Sequence, residues 1–226
     1  MQQGILYIVS TPIGNLKDIS LRALEVLESV HLIAAEDTRR TKKLLLHYKI
    51  KTSLVSYFDY NKAARADLLL KKLKEGRDVA LVSDAGTPCI SDPGFYLAGL
   101  AIKENIVLTP IPGASALLSA LVVSGAPPDR FVFEGYLPRK SKKRELRLKE
   151  IVKEKRTVIL YEAPHRLLKT LRNLLDFLGD KELAICRELT KKFEEVKREK
   201  ISELITYFEN KGIKGEFVIV IPGAGE

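Results

Sequence analysis

The stretch Val79-Ala80-Leu81-Val82-Ser83-Asp84-Ala85-Gly86-Thr87-Pro88-Cys89-Ile90-Ser91-Asp92-Pro93-Gly94 decides the fold. Val79–Val82 is apolar without alternation, the pattern of a strand buried on both faces. Asp92 and Pro93 then read as N-cap and first residue of a helix that ends near Glu104. Strand, tight loop and helix make the unit of an α/β sheet, where ligands sit beyond the carboxyl ends of the strands. Small residues let a ligand approach the backbone, and Pro88 and Pro93 stiffen the path. Such a loop suits a nucleoside-containing cofactor; the alternative is a tight structural turn. It has neither the Gly-x-Gly-x-x-Gly spacing of dinucleotide folds nor the Gly-Lys-Ser/Thr ending of a phosphate loop.

The same alternation runs outward in both directions. Ile5–Ser10, Leu32–Ala35, Leu54–Tyr57 and Val107–Leu108 read as strands, interleaved with helices over Ser20–Ser29, Thr41–Tyr48, Ala63–Glu75 and Ala114–Ser124. Beyond Gly125-Ala126-Pro127-Pro128, strands are expected at Phe131–Glu134, Thr157–Tyr161, Leu183–Arg187, Glu195–Arg198 and Phe217–Ile221. A basic helix is expected over Lys142–Lys155, a second from Pro164 to about Leu178, and a third over Ile201–Asn210. Continuous Val/Ile/Leu runs between helices imply mixed, largely parallel sheets. The expected organisation is an α/β domain over 1–113, a connecting helix and linker over 114–128, and a second α/β domain over 129–226.

The chain has 226 residues and is 46% hydrophobic, which excludes wholesale disorder. Two cysteines, Cys89 and Cys186, form no framework, and no signal peptide is apparent, so a cytoplasmic location is expected. The longest uncharged stretch, Ile106–Pro128, is broken by Pro110, Pro112, Gly113, Gly125 and Pro127, so no membrane span is expected. Lys+Arg number 38 against 29 Asp+Glu, a net charge of +9. Pro138–Arg156 alone holds ten Lys/Arg and three Glu, so most of the excess is clustered. Clustering favours a polyanion such as nucleic acid over a diffuse basic coat, although a solvated helix face is the competing reading.

Other strand-to-helix loops hold chemistry-bearing residues. Pro110–Ala116 offers helix-start amides to a ligand carboxylate, or simply a capped helix start at Ser115. Ala35–Lys43 combines Glu36 and Asp37 with a basic cluster; acidic residues are equally at home in the first turn of a helix. In Tyr161–Arg166 the spacing of Glu162 and His165 is wrong for a zinc pair, and His31 and His47 have no ligand partners nearby. No metal is expected.

Five segments occur in order: Ser-Thr-Pro-Ile-Gly-Asn-Leu (10–16), Ala-Glu-Asp-Thr-Arg (35–39), Ser83–Gly94, Pro-Gly-Ala-Ser-Ala (112–116) and Tyr-Glu-Ala-Pro-His-Arg (161–166). Together they resemble the tetrapyrrole-methylase superfamily of S-adenosylmethionine (SAM) enzymes. Within it the chain is similar to the branch that methylates a cytidine 2′-oxygen in 16S ribosomal RNA, and the likeness runs from Ile5 to about Pro222.

The resemblance implies two α/β domains with SAM in a cleft between them, a homodimer, a cytoplasmic location and the small ribosomal subunit or its 16S rRNA as partner. Carried over by position, SAM contacts are expected from Pro12, Ala85, Gly86, Thr87, Ile90, Ser115 and Ala116, with Glu162 and Leu189 from the second domain. Some family members extend further at the C-terminus than Glu226. RNA contacts of such an extension are expected to be missing or replaced by Pro138–Arg156.

A ribose hydroxyl is a weak nucleophile until its proton leaves, so a general base would help by about 10²–10⁴-fold; Asp84, Glu36 and Asp37, each closing a strand, are the candidates. Phosphate contacts are expected from Arg39, Arg40, Lys42, Lys43, Arg139, Lys140, Lys142, Lys143 and Arg144, with His165 and Arg166 beside them. Two rival functions fit less of the sequence: methylation of a tetrapyrrole, and a non-catalytic RNA-binding module.

Overall fold

A computed structural model of the chain describes residues 3–223. Two compact units divide the chain after Ser115. The expected domain ends at residues 1 and 226 lie outside the described residues.

The first unit holds β1 (Leu6–Val9), α1 (Leu21–Ser29), β2 (Leu32–Ala35), α2 (Thr38–His47), β3 (Leu54–Ser56), α3 (Lys62–Lys74), β4 (Val79–Val82), α4 (Gly94–Lys103) and β5 (Leu108–Ile111). The strands form one sheet in the order β3-β2-β4-β1-β5, and every pairing is parallel. Alternate strand residues point to opposite faces. Ala34, Val79 and Leu81 pack with Leu69, Leu73 and Leu97 of α3 and α4. Ile33, Ala35, Ala80 and Val82 pack with Ala23, Leu27 and Leu45 of α1 and α2. The central strands are therefore apolar at every position.

Adjacent strands β1 and β4 send their chains to opposite faces of this sheet, β1 toward α1 and β4 toward α4. Their carboxyl ends diverge there, the topological position at which open α/β sheets bind ligands. β5 includes Pro110, which is compatible with its place at the sheet edge, where a missing backbone donor costs no ladder bond.

The second unit begins with α5 (Ala116–Ser124) and continues through β6 (Phe131–Tyr136), α6 (Ser141–Lys153), β7 (Thr157–Glu162), α7 (Leu167–Leu178), β8 (Glu182–Arg187), β9 (Glu195–Lys200), α8 (Ile201–Lys211) and β10 (Phe217–Ile221). Its sheet order is β6-β7-β10-β8-β9. Only β6 and β7 pair in parallel; β10 enters antiparallel between β7 and β8, and β8–β9 is an antiparallel hairpin. The sheet is mixed, but less parallel than the strand–helix alternation suggested, because β10 returns between existing strands. α6, α7 and α8 cover one face with Leu148, Leu171, Leu174 and Phe208.

The segment read as connecting helix and linker is built into this second unit. α5 buries Leu117, Ala120 and Leu121, and its Ala120 carbonyl lies 3.9 Å from Cys186 Sγ of β8. Thr157 Oγ1 donates to the Pro127 carbonyl at 2.7 Å, which ties the following turn to β7. A helix apolar on nearly every side needs a sheet to cover, and β7, β8 and β10 provide it.

Candidate active site

Three loops meet at the carboxyl ends of β1, β4 and β5. Thr11 and Gly86 exchange main-chain hydrogen bonds of 2.9 and 3.0 Å, a single antiparallel bridge between the first two loops. Ser10 Oγ lies 3.0 Å from Thr87 Oγ1, which in turn reaches the Ala114 carbonyl at 3.4 Å. Gly86 sits at φ +81°, and a Cβ there would lie 3.3 Å from Ile13 Cγ2. A Cβ on Gly113 would lie 2.9 Å from Ser10 Cβ. The small residues are thus required by how closely these loops approach one another. Thr11 Oγ1 is buried with no partner among the described residues, an unmet hydrogen-bonding group at the centre of the junction.

This arrangement brings Pro12, Ala85, Gly86, Thr87, Ile90 and Ser115 onto neighbouring loops of the first unit. Ala116, Glu162 and Leu189 belong to the second unit.

The carboxylates Glu36, Asp37 and Asp84 are brought together because β2 and β4 are neighbours. The Asp84 amide donates to Glu36 Oε2 at 3.3 Å, and Asp84 Oδ1 accepts the Asp37 amide at 2.9 Å. Arg40 Nη1 is 3.5 Å from Asp84 Oδ2. Asp37 is the N-cap of α2: its Oδ1 accepts from the Arg39 amide at 2.9 Å and its Oδ2 from Arg39 Nη2 at 2.8 Å. Those bonds hold its carboxyl far below the usual range, so it is a poor proton acceptor. Burial, opposed by the Asp84 amide, pushes the half-buried Glu36 carboxyl up. Unlike Asp37, it is tuned toward general-base work.

The β4 loop ends in a strained turn that the sequence did not disclose. Cys89 and Ser91 both have positive φ, 73° and 65°. Asp92 Oδ1 holds the turn by accepting from the amides of Cys89 at 3.0 Å and Gly94 at 2.7 Å. Pro93 takes the N-cap position rather than the first helical one expected, and Asp92 still caps the helix start through its side chain. Burial pushes the Cys89 thiol up to about 11, which makes it inert. A cavity of about 420 Å³ opens here, lined by Glu36, Asp59, Lys62, Ser91, Asp92, Pro93, Phe95 and Tyr96. Asp59, Lys62, Phe95 and Tyr96 were not singled out by motif; Phe95 and Tyr96 carried the one signal, aromatic residues on a helix start where a core-facing pattern does not require them, and Asp59 and Lys62 carried none.

In the second unit two expected ligands turn inward. Glu162 at the end of β7 is fully buried: its Oε1 accepts from the Ala163 amide at 2.9 Å and lies 3.3 Å from Arg166 Nε, and its Oε2 accepts from Thr170 Oγ1. Its side chain is committed to the fold, leaving only its main chain for a ligand. Arg144, expected on the basic surface, is buried, donating to Asn173 Oδ1 at 2.8 Å and Thr170 Oγ1 at 2.6 Å. Arg166, expected as an RNA contact, is mostly buried between Glu162 and the Leu137 carbonyl. The buried Glu162 carboxylate draws both guanidinium groups inward.

Leu189 is buried between Glu188 and Thr190, both at positive φ, and Thr190 Oγ1 is buried without a partner among the described residues. Arg139, Lys140, Lys142, Lys143 and His165 are exposed, as are Arg39, Arg40, Lys42 and Lys43 of the first unit. Arg147, Lys149 and Arg156 are paired with neighbouring glutamates. No described residues form a group of three or more metal-binding side chains, and no described helix is long and apolar enough to cross a membrane.

Two five-stranded α/β units, with small-residue loops gathered at the switch point of the first, define an α/β protein with a ligand site at the strand ends. A family profile described as Tetrapyrrole (Corrin/Porphyrin) Methylases matches residues 5–205, and the chain belongs to that family. It is 54% identical to Ribosomal RNA small subunit methyltransferase I of Synechocystis sp., over 98% of this chain and 80% of that one. It is 50% identical to the protein of the same name from Thermotoga maritima, over 97% of this chain and 99% of that one. Uroporphyrin-III C-methyl transferase from Thermus thermophilus, complexed with S-adenyl homocysteine, shares the fold with a TM-score of 0.68. That structure is 16% identical and is matched over 99% of this chain and 98% of its own.

Proposed function

We propose that the protein transfers a methyl group from SAM to the 2′-oxygen of a cytidine in 16S ribosomal RNA. The observation that supports this most is the junction of the β1, β4 and β5 loops, where Thr11, Gly86, Thr87 and Gly113 leave a backbone-lined surface at the switch point. It fits a nucleoside cofactor: the side chains are small, and the buried Thr11 Oγ1 still lacks a partner. Pro12, Ala85, Gly86, Thr87, Ile90 and Ser115 would hold it from the first unit, and Ala116, Leu189 and the Glu162 main chain from the second. When bound, the sulfonium supplies a methyl group already activated for transfer.

The residues of this chain then orient the nucleophile and take its proton. Glu36, raised by burial and open to the cavity, accepts the proton of the ribose hydroxyl. Asp84 keeps Glu36 in place through its amide and joins the β2 and β4 ends through its carboxylate. Arg40, Lys42, Lys43, Arg139, Lys140, Lys142, Lys143 and His165 meet phosphates, setting affinity and register without reading sequence. Arg39 joins them with its side chain 88% exposed, although Asp37 neutralises part of its charge.

The active form is a cytoplasmic homodimer. The exposed Leu118 and Val122, one turn apart on α5, supply apolar area for a second copy.

Incubation with labelled SAM and small ribosomal subunits lacking the modification tests this reading. Label is expected on the 2′-oxygen of one cytidine. Label on a base, or none on RNA while a tetrapyrrole is labelled, overturns it.

A further inference from the structure

We infer that the cavity beside Glu36 is a subsite for the base of the target nucleotide, and that it takes a base bearing an exocyclic amine. This rests on the RNA-methylation reading above and assigns residues that it leaves unused.

The cavity lies wholly within the first unit. About 420 Å³ falls in the range of roughly 300–1,000 Å³ typical of small-molecule sites. Its walls combine two features. One is aromatic: Phe95 and Tyr96, 74% and 40% exposed, stand at the start of α4, where a helix facing water has no packing use for them. Aromatic faces of this kind stack unpaired bases. The other is anionic: Asp59 is a hydrogen-bond acceptor that would repel a phosphate but receive an amino group from a base edge.

A divalent cation is the competing occupant of a carboxylate-lined cavity. The described carboxylates do not converge into a metal-binding group, and Lys62 answers Asp59 at 3.0 Å. Lys62 Nζ also lies 5.8 Å from the Tyr96 ring centroid. It thus puts a cation at the rim, where the backbone of an extruded nucleotide passes. An unstacked base can enter such a hollow and bring its ribose with it. With the base in the cavity, its ribose lies toward Glu36 and the small-residue loops.

The test uses the full-length protein and small subunits whose mapped target nucleotide is either native or replaced by uridine, which lacks the amine. Wild type is expected to methylate the uridine subunits about tenfold more slowly in single turnover, the discrimination of one good base-edge contact. Asp59→Ala is expected to shrink that ratio to about two or less. Tyr96→Ala is expected to slow the native reaction about tenfold, while Tyr96→Phe retains it, because stacking needs the ring and not the hydroxyl. SAM affinity by calorimetry stays at the wild-type value in all three variants, which shows that the cofactor loops remain folded. An unchanged rate for Tyr96→Ala, or an unchanged base ratio for Asp59→Ala, overturns the subsite while leaving RNA methylation standing. Wild type that binds SAM but labels no RNA overturns the RNA-methylation reading, and the subsite falls with it.

Discussion

The Asp84 main-chain amide points at Glu36 Oε2 from 3.3 Å, so the end of β4 holds the carboxylate that closes β2. Glu36→Gln keeps an acceptor for that amide and removes only the ionisable group. Turnover is expected to fall by about 10²–10⁴-fold, the usual contribution of a general base, with SAM affinity unchanged. Stability moves the other way. The folded carboxyl is raised above its unfolded value, so its favourable contribution is present below the unfolded pKa and is lost as pH rises through the folded one. Glu36→Gln is therefore expected to raise Tm at pH 7 and to have no such benefit at pH 4. Asp84→Asn preserves the acceptor for the Asp37 amide and gives up only a partly exposed ion pair with Arg40, so turnover is expected to change less than about threefold. A larger drop in Asp84→Asn than in Glu36→Gln reverses the assignment.

Two glycine-to-alanine exchanges should have opposite signs. At Gly86 the new Cβ must occupy φ +81° and press on Ile13 at 3.3 Å. About 1–3 kcal/mol of strain is expected, read as a lower urea midpoint. SAM affinity should drop with it, since the Thr11–Gly86 bridge aligns the loops. At Gly99, on exposed α4, the Cβ meets nothing within 4 Å, and alanine is the better helix former. Gly99→Ala is expected to stabilise by about 0.5–1 kcal/mol.

Asp37 is structural, and its signature is acid sensitivity. The Arg39 bonds depress its folded pKa, so its stabilisation is present above the unfolded pKa and is lost as pH falls through the folded one. The Tm deficit of Asp37→Ala should be full at pH 6 and shrink steadily below pH 4. Asn keeps the capping oxygen but not the charge that Arg39 meets, so the Tm of Asp37→Asn at pH 6 should fall between those of Asp37→Ala and wild type and change little with pH. A deficit for Asp37→Ala that is independent of pH removes the ionised cap from the account.

The strands were legible because both faces of the first sheet are covered, which prints unbroken apolar runs such as Val79–Val82. Their pairing was not: nothing in Phe217–Ile221 tells it to run antiparallel between β7 and β8. The loop residues were legible as types, since a close approach like that of Gly113 to Ser10 admits only glycine. The cavity was not, because it joins Glu36, Asp59 and Asp92 from three loops that become neighbours only through the strand order. Arg144 was misplaced for a subtler reason. It shares the i, i+4, i+7 stripe with Leu148 and Ile151, so helical spacing pointed it inward while its charge suggested the surface.

That inward turn separates Arg144 from its neighbours Lys142 and Lys143 in a way solution measurements can read. Arg144→Met leaves the buried Thr170 hydroxyl and Asn173 carbonyl without their donor and is expected to cost about 1–3 kcal/mol. Adding Glu162→Gln should recover part of that stability, because residues in one buried network are not additive. Lys142→Glu/Lys143→Glu changes only exposed positions, so the fold should move by no more than about 0.5 kcal/mol per site. RNA binding should weaken, with the slope of log K against log salt falling by about 0.7–0.9 for each phosphate that is no longer neutralised. SAM affinity should not change, because neither lysine is among the residues proposed to hold the cofactor. If instead Arg144→Met flattens the salt slope without lowering stability, the guanidinium lies on the RNA face and its buried network is wrong.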